Sequence, residues 1–208
     1  TSSDAGTIVP SGIQLGVGVK LSAVYRIMQQ GNIASTGNTY DVAIQGKGLL
    51  AVELPNGDAA YTRAGSLQLS PEGQIVTTDG YPVQPGITVP QDAIGVTINS
   101  SGEVLATIAG QIVPTNVGQL TLVSFANEGG LEAMGDNLFV ETAASGAAIE
   151  GTPGQDGFGT ILQGYVETSN VNSVEEITNL ITAQRAYEML AKVIQTSDEM
   201  SATTSQLS

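Results

Sequence analysis

Gly46-Lys47-Gly48-Leu49-Leu50-Ala51 has the outline of a dinucleotide-binding loop, and Val42-Ala43-Ile44 ahead of it has the outline of the strand such a loop follows. That loop works by opening a helix whose N-terminus holds a pyrophosphate. Here Pro55-Asn56-Gly57 stops the chain soon after, and no acid near Ser66 fills the place of the ribose-binding carboxylate. The glycines read instead as a strand-turn device. A second glycine cluster, Gly151 to Gly159, lacks the Gly-Lys-Ser/Thr of a phosphate loop. No Asp-x-Asp-x-Asp-Gly calcium loop occurs. Asp41, Asp58, Asp79 and Glu103 all flank turns, where carboxylates commonly cap backbone N–H groups. With His 0 and Cys 0, disulfides, imidazole and thiolate metal sites, and His- or Cys-based catalysis are excluded. Two carboxylates meeting in space could still cleave a glycosidic bond. The chain has Trp 0 and only 4% aromatics, a poor supply of sugar platforms. No catalytic residue, cofactor or metal is expected.

The charge balance points the same way. Six basic residues against 20 acidic ones give −14 at pH 7, which repels nucleic acid and anionic lipid. No apolar run is long enough for a membrane-spanning helix. The hydrophobic fraction of 41% in 208 residues supports a folded core. The chain begins at Thr1 with no charged-then-apolar leader, so further chain upstream is expected.

The elements that must carry any function follow from periodicity. Short apolar runs separated by turns dominate: Val42–Ile44, Leu49–Val52, Ala60–Arg63, Ser66–Leu69, Gln74–Thr77, Tyr81–Val83, Val96–Ile98, Val104–Ala106 and Leu120–Val123. Pro55-Asn56-Gly57-Asp58, Pro71-Glu72-Gly73 and Thr78-Asp79-Gly80 read as turns. The predicted fold is mainly β: an antiparallel β domain with extended connectors and a long C-terminal α-helix. The expected divisions are an extended N-terminal segment with β-strand character over 1–31, the β domain over 32–144, a connector over 145–172 and a helix over 173–208.

That helix is predicted to start at a capping box, Ser173-Val174-Glu175-Glu176, with Ser173 as cap and Glu176 reaching back. Thr203-Thr204-Ser205 are expected to fray. Leu180, Tyr187 and Ile194 recur every seven residues, with Ile177, Gln184 and Ala191 three residues before each. Met189, Val193 and Met200 form a second apolar strip, so the helix needs more than one neighbour. Spacing alone leaves a coiled-coil-like seam and a single antiparallel helix pair equally open. Arg185 and Lys192 are candidates to pair with nearby acids or simply to solvate the helix.

Asp41-Val42-Ala43-Ile44-Gln45-Gly46-Lys47-Gly48, then Tyr61-Thr62-Arg63-Ala64-Gly65, then Gly73-Gln74-Ile75-Val76-Thr77 resemble the rod and hook family of bacterial flagella. Gly164-Tyr165-Val166-Glu167-Thr168-Ser169-Asn170-Val171-Asn172 and Gln184-Arg185-Ala186-Tyr187-Glu188 are similar to its C-terminal signature. Pro10–Gly16, Val83-Gln84-Pro85 and Ile87–Pro90 resemble the distal-rod branch. Leu49 and Leu50 stand where the family usually has aromatics. The family's N-terminal helix, which pairs with the C-terminal one in the rod's inner tube, has no counterpart read in this sequence.

The resemblance implies a non-enzymatic subunit that polymerises helically into a tubular drive shaft crossing the periplasm towards the outer membrane. It implies export through the flagellar type III apparatus. The expected partners are other copies of the chain, proximal rod proteins, the hook protein, and the ring proteins of the peptidoglycan layer and outer membrane. The expected assembly residues are Ile177, Leu180, Ile181, Gln184, Tyr187, Leu190, Ala191 and Ile194. The signature residues are Asp41, Gly46, Gly48, Tyr61, Thr62, Arg63, Gly65, Ser169, Asn170, Asn172 and Arg185. The competing readings are a proximal rod or hook relative, and, more distantly, a secreted β-rich glycan-cleaving enzyme. The hook protein's extra β domain finds little room between Ala93 and Asn127.

Overall fold

The computed structural model describes residues 28–206. The Pro10–Gly16 motif, most of the expected 1–31 segment, and Leu207 and Ser208 lie outside the described residues. The strands in chain order are β1 (Ile33–Ser35), β2 (Val42–Gln45), β3 (Leu50–Glu53), β4 (Ala59–Thr62), β5 (Leu67–Leu69), β6 (Ile75–Thr77), β7 (Ala93–Ile98) and β8 (Glu103–Ile108). They continue as β9 (Thr115–Gln119), β10 (Leu122–Ser124), β11 (Glu132–Gly135), β12 (Leu138–Val140), β13 (Ile149–Gly151), β14 (Thr160–Gln163) and β15 (Tyr165–Glu167). The helix α1 (Ser173–Gln206) follows. The pairings of these strands are antiparallel, as the turn spacing predicts.

Local chemistry explains the hairpins. Between β3 and β4 the Leu54 N–H donates to Asp58 O at 2.9 Å, and Gly57 N–H returns to Leu54 O at 2.8 Å. The Asn56 side chain locks the same turn through the Asp58 carboxylate at 2.6 Å. Between β5 and β6 the Ser70 hydroxyl accepts from the Glu72 and Gln74 N–H groups, both at 3.2 Å. The expected Tyr81–Val83 strand is instead a pair of isolated bridges, Val76 to Pro82 and Val52 to Val83. Leu120–Val123 is broken: Leu120 N–H goes to Gly102 O, and β10 begins only at Leu122.

The main core draws Ile44, Leu50, Val52, Ile75, Val83, Val104, Leu122 and Ile161 from across the chain. A smaller cluster of Leu49, Ala51, Tyr61, Val123, Phe125 and Leu131 lies on the other face of β3 and β4, consistent with side-chain alternation along a strand. Residues 145–172 are extended, but they are also paired. β13 joins β10, β14 joins β2 over four residue pairs, and Ile161 is buried. β15 pairs with β1, bringing the chain entering the body beside the chain leaving it.

The helix begins one residue earlier in its capping than the sequence suggests. The Asn172 side-chain oxygen accepts from Val174 N–H at 3.1 Å, and Asn172 O accepts from Glu176 N–H at 3.0 Å. Asn172 is therefore the cap, and Ser173 is the first helical residue. The backbone stays helical through Thr203-Thr204-Ser205 to Gln206, so the expected fraying is not seen. At 34 residues α1 is roughly 51 Å long. Three of its threonines bond the helix's own backbone: Thr178 donates to Val174 O, Thr182 to Thr178 O and Thr196 to Lys192 O.

Candidate functional site

Two features sit where the β body gives way to the helix. The first is a junction built on Arg63, which follows β4. Its Nε donates to Glu167 Oε2 at 2.6 Å, an ion pair whose side chains are 20% and 11% exposed. Its Nη2 donates to Gly46 O at 2.7 Å and Ile44 O at 3.3 Å, and its Nη1 to Gly48 O at 3.1 Å. One guanidinium thus holds three carbonyls at alternate positions and a carboxylate oxygen, four acceptors against the three donors of a lysine. The carbonyls converge because the chain bends at Gly46 (φ +113°) and Gly48 (φ +131°), conformations that disfavour side chains.

The junction also holds the entering chain. The second carboxylate oxygen of Glu167 accepts from Gly31 N–H at 2.7 Å. Gln30 grips the Arg63-bound turn from the other side, donating to Ile44 O and accepting from Gly46 N–H, both at 3.1 Å. Asn170 donates to Gln29 O at 2.9 Å. Residues 29–31, 44–48, 63 and 167–170 are therefore tied together just before α1. Beside them lies a cleft of about 420 Å³ lined in part by Arg63, Asn137, Phe139, Glu167 and Asn170. Its one lining carboxylate, Glu167, is committed to Arg63, so this cleft lacks the paired acids of a glycosidase. Among the described residues no group of three or more acidic side chains is placed to hold a metal.

The other signature residues brace this junction from within the body. Asp41 is buried and accepts from Thr36 and Asn38, while its carbonyl accepts from Gly164 N–H at 2.7 Å. A side chain at Gly65 would place its Cβ 1.7 Å from Val42 O, breaking the 2.8 Å bond between Val42 N–H and Gly65 O. Thr62 donates to Asn137 O at 2.9 Å. Tyr61 meets Phe125 edge to face at 4.8 Å. Burial, with the nearby Glu141 and Glu150 carboxylates adding to it, raises the Tyr61 pKa above its ordinary 10.0. Ser169 accepts from Val171 N–H, and Asn172 caps α1. Arg185 lies apart, on exposed helix.

The second feature is α1 itself. Every residue of it whose side chain is described is exposed. Leu180 is 68% and Tyr187 79% exposed. Leu180, Gln184, Tyr187 and Ala191 line one shallow concavity with Ala183 and Glu188, so the seven-residue spacing does place them on one face. Ile177 and Ile194 extend that face by spacing, and Ile181 and Leu190 are exposed beside it. Met189, Val193 and Met200 are exposed on the second strip. Sequence reasoning missed Ala183, which four-residue spacing from Tyr187 would have found. It also missed Gln30 and Gly31, whose roles come only from long-range backbone contacts.

Among the described residues no helix is long and apolar enough to cross a membrane. The family model of the flagellar hook protein FlgE/F/G D1 domain matches residues 43–106, which hold the Arg63 turn. That of the flagellar basal body rod FlgEFG protein C-terminal matches residues 162–207, which hold Glu167 and α1. The chain is 59% identical over 206 residues to the flagellar basal-body rod protein FlgG of Caulobacter vibrioides, covering 99% of this chain and 79% of that one. It is 50% identical over 207 residues to the FlgG of Buchnera aphidicola subsp. Schizaphis graminum, covering 100% and 80%. Identity falls to 34% with the flagellar hook-basal body complex protein FlhP of Bacillus subtilis, over 92% of this chain and 73% of that one. The chain belongs to the flagellar rod and hook family, in its distal-rod, FlgG-type branch, and is a structural subunit of the basal-body rod.

Proposed function

We propose that α1 is the element through which copies of this subunit polymerise helically, and that the Arg63 junction holds α1 at a fixed attitude to the β body. The observation that carries this reading is a 34-residue helix with apolar side chains on more than one face, all exposed. Leaving such side chains in water forgoes roughly 1.5–3 kcal/mol each. Packing α1 against neighbouring helices recovers it and builds an inner tube. Ile177, Leu180, Ile181, Gln184, Tyr187, Leu190, Ala191 and Ile194 are the contact residues of that tube. The polymer acts as a rigid shaft that carries motor torque across the periplasm to the hook. It joins proximal rod proteins at one end and the hook protein at the other, inside the rings of the peptidoglycan layer and outer membrane. Its subunits arrive through the type III export apparatus. The assignment is to a structural protein without catalysis.

Leu180→Asp in the full-length protein tests this. It is expected to abolish polymerisation, seen by electron microscopy and sedimentation, while the β body melts as before. Normal polymers from Leu180→Asp subunits would contradict the role given to α1.

A further inference from the structure

The β3–β4 turn holds the one asparagine of this chain that is followed by glycine, Asn56-Gly57. Asparagine is a chemically labile residue, and a following glycine makes it more so, because glycine has no Cβ to screen its own nitrogen. The Gly57 nitrogen attacks the Asn56 side-chain carbonyl carbon. A bond forms between Gly57 N and Asn56 Cγ, the Cγ–Nδ2 bond breaks, and ammonia leaves. Water then opens the succinimide ring at either carbonyl, giving aspartate or isoaspartate. The reaction needs water and no other reagent. Both residues are exposed, and a Cβ built on Gly57 would meet nothing within 4 Å, so water reaches the site freely.

The turn around this pair opposes each step. Gly57 N–H donates to Leu54 O at 2.8 Å, so the nitrogen that must lose its proton is already hydrogen-bonded. Asp58 holds both ends of the Asn56 amide. Nδ2 donates to Asp58 Oδ2 at 2.6 Å, and Oδ1 accepts from Asp58 N–H at 3.2 Å. Attack at Cγ builds negative charge on Oδ1, and the Asp58 carboxylate beside it disfavours that charge. Asn99-Ser100, in the β7–β8 turn, repeats the arrangement with a different acid. Its Nδ2 donates to Glu103 Oε2 at 2.6 Å, and its Oδ1 accepts from the Ser101 and Glu103 N–H groups. Asn99 is half-buried and precedes a serine, so it serves as an internal reference.

We infer that Asn56-Gly57 is a site of spontaneous deamidation, and that Asp58 is the positioning residue that holds it closed. The consequence of its opening reaches the core. Aspartate at position 56 sets a carboxylate against Asp58 where an amide donor stood. Isoaspartate adds a carbon to the backbone inside the loop that Leu54 N–H and Asp58 O close at 2.9 Å, and Leu54 belongs to the main core. The β3–β4 turn is thus the point at which slow chemical ageing of the subunit loosens the body.

Full-length protein incubated at mildly alkaline pH tests this, with amide-to-acid conversion at Asn56 and Asn99 read by peptide mass mapping. In the folded protein, conversion at Asn56 is expected to run slower than in urea by about tenfold or more. Folded Asp58→Ala is expected to speed it by about tenfold, and Asp58→Asn, which keeps an acceptor but not the charge, by less. Conversion at Asn99 should not respond to either substitution, because its acid is Glu103. Equal rates at Asn56 in folded protein and in urea would overturn the protection. An unchanged rate in folded Asp58→Ala would overturn the role of Asp58. Parallel rises at Asn56 and Asn99 in both variants would mark general loosening and overturn it too. No conversion at Asn56 even in urea would overturn the site itself.

Discussion

Leu50 and Leu180 are the same residue in two regions that use it in opposite ways. In the β body Leu50 is 0% exposed, enclosed with Val52, Ile75 and Leu122. On α1 Leu180 is 68% exposed, in a row of exposed apolar neighbours. Burial within one chain converts apolar area into folding stability, whereas apolar area left outside is available for association. Under the proposed function, the body is stabilised by its own core and α1 by the helices it packs against. Arg63 and Glu167 stand at the boundary, between a body with a buried core and a helix whose described side chains are exposed.

The largest effect that would test this contrast is in the core. Leu50→Ala should cost the body about 2–5 kcal/mol in urea unfolding. Leu180→Ala should shift the same transition by no more than about 0.5 kcal/mol. Ending the chain at Asn172 should likewise leave the body's transition in place. A body that lost cooperative unfolding on removal of α1 would erase the distinction.

Next in size is the boundary. Arg63→Ala removes the ion partner of Glu167 Oε2 and one donor from each of the Ile44, Gly46 and Gly48 carbonyls, and should cost about 1.5–3 kcal/mol. Arg63→Lys keeps the charge but not the fork, and should recover only part of that loss. Hydrogen exchange at Gly31 and Gly46, whose N–H groups bond Glu167 and Gln30, should rise in both variants. Unchanged exchange there would mean the guanidinium does not organise the junction.

The smallest effect is a pH dependence inside the body. The folded Tyr61 pKa lies above its unfolded value, so the native state holds the phenolic proton more tightly. The associated stability is fully present below about pH 10 and is lost as pH rises through the folded pKa. Tyr61→Phe keeps the edge contact with Phe125 and cannot ionise. It should flatten part of the alkaline loss of stability, read as Tm between pH 9 and 11 (roughly the range of phenol titration).

Much of this architecture is legible in the sequence. The β3–β4 and β5–β6 hairpins follow from alternation and turn chemistry close in sequence, and the helix and its seam from seven-residue spacing. What escapes depends on partners far along the chain. β14 pairs with β2 across more than a hundred residues, so its glycine-rich flanks read as a plain connector. Strands β11 to β13 are short and punctuated by Gly135, Gly146 and Gly151, and their pattern is too brief to declare a period. Asn172 is hidden as helix cap because Ser173 also fits a cap, and only the hydrogen bond to Val174 N–H separates them. At the junction Arg63 and Glu167 are visible in the sequence only as parts of a resemblance. Nothing local in Gln30 or Gly31 shows that they complete it.

The most direct measurement of the central claim is amide hydrogen exchange along α1 in the full-length protein, dilute and polymerised. Weak protection is expected from Ile177 to Ile194 in the dilute subunit, with β3, β4 and β14 already strongly protected. On polymerisation the α1 amides should become protected while the body changes little. Amides of α1 that remained as exposed in the polymer as in the monomer, or that were fully protected in the monomer, would contradict it.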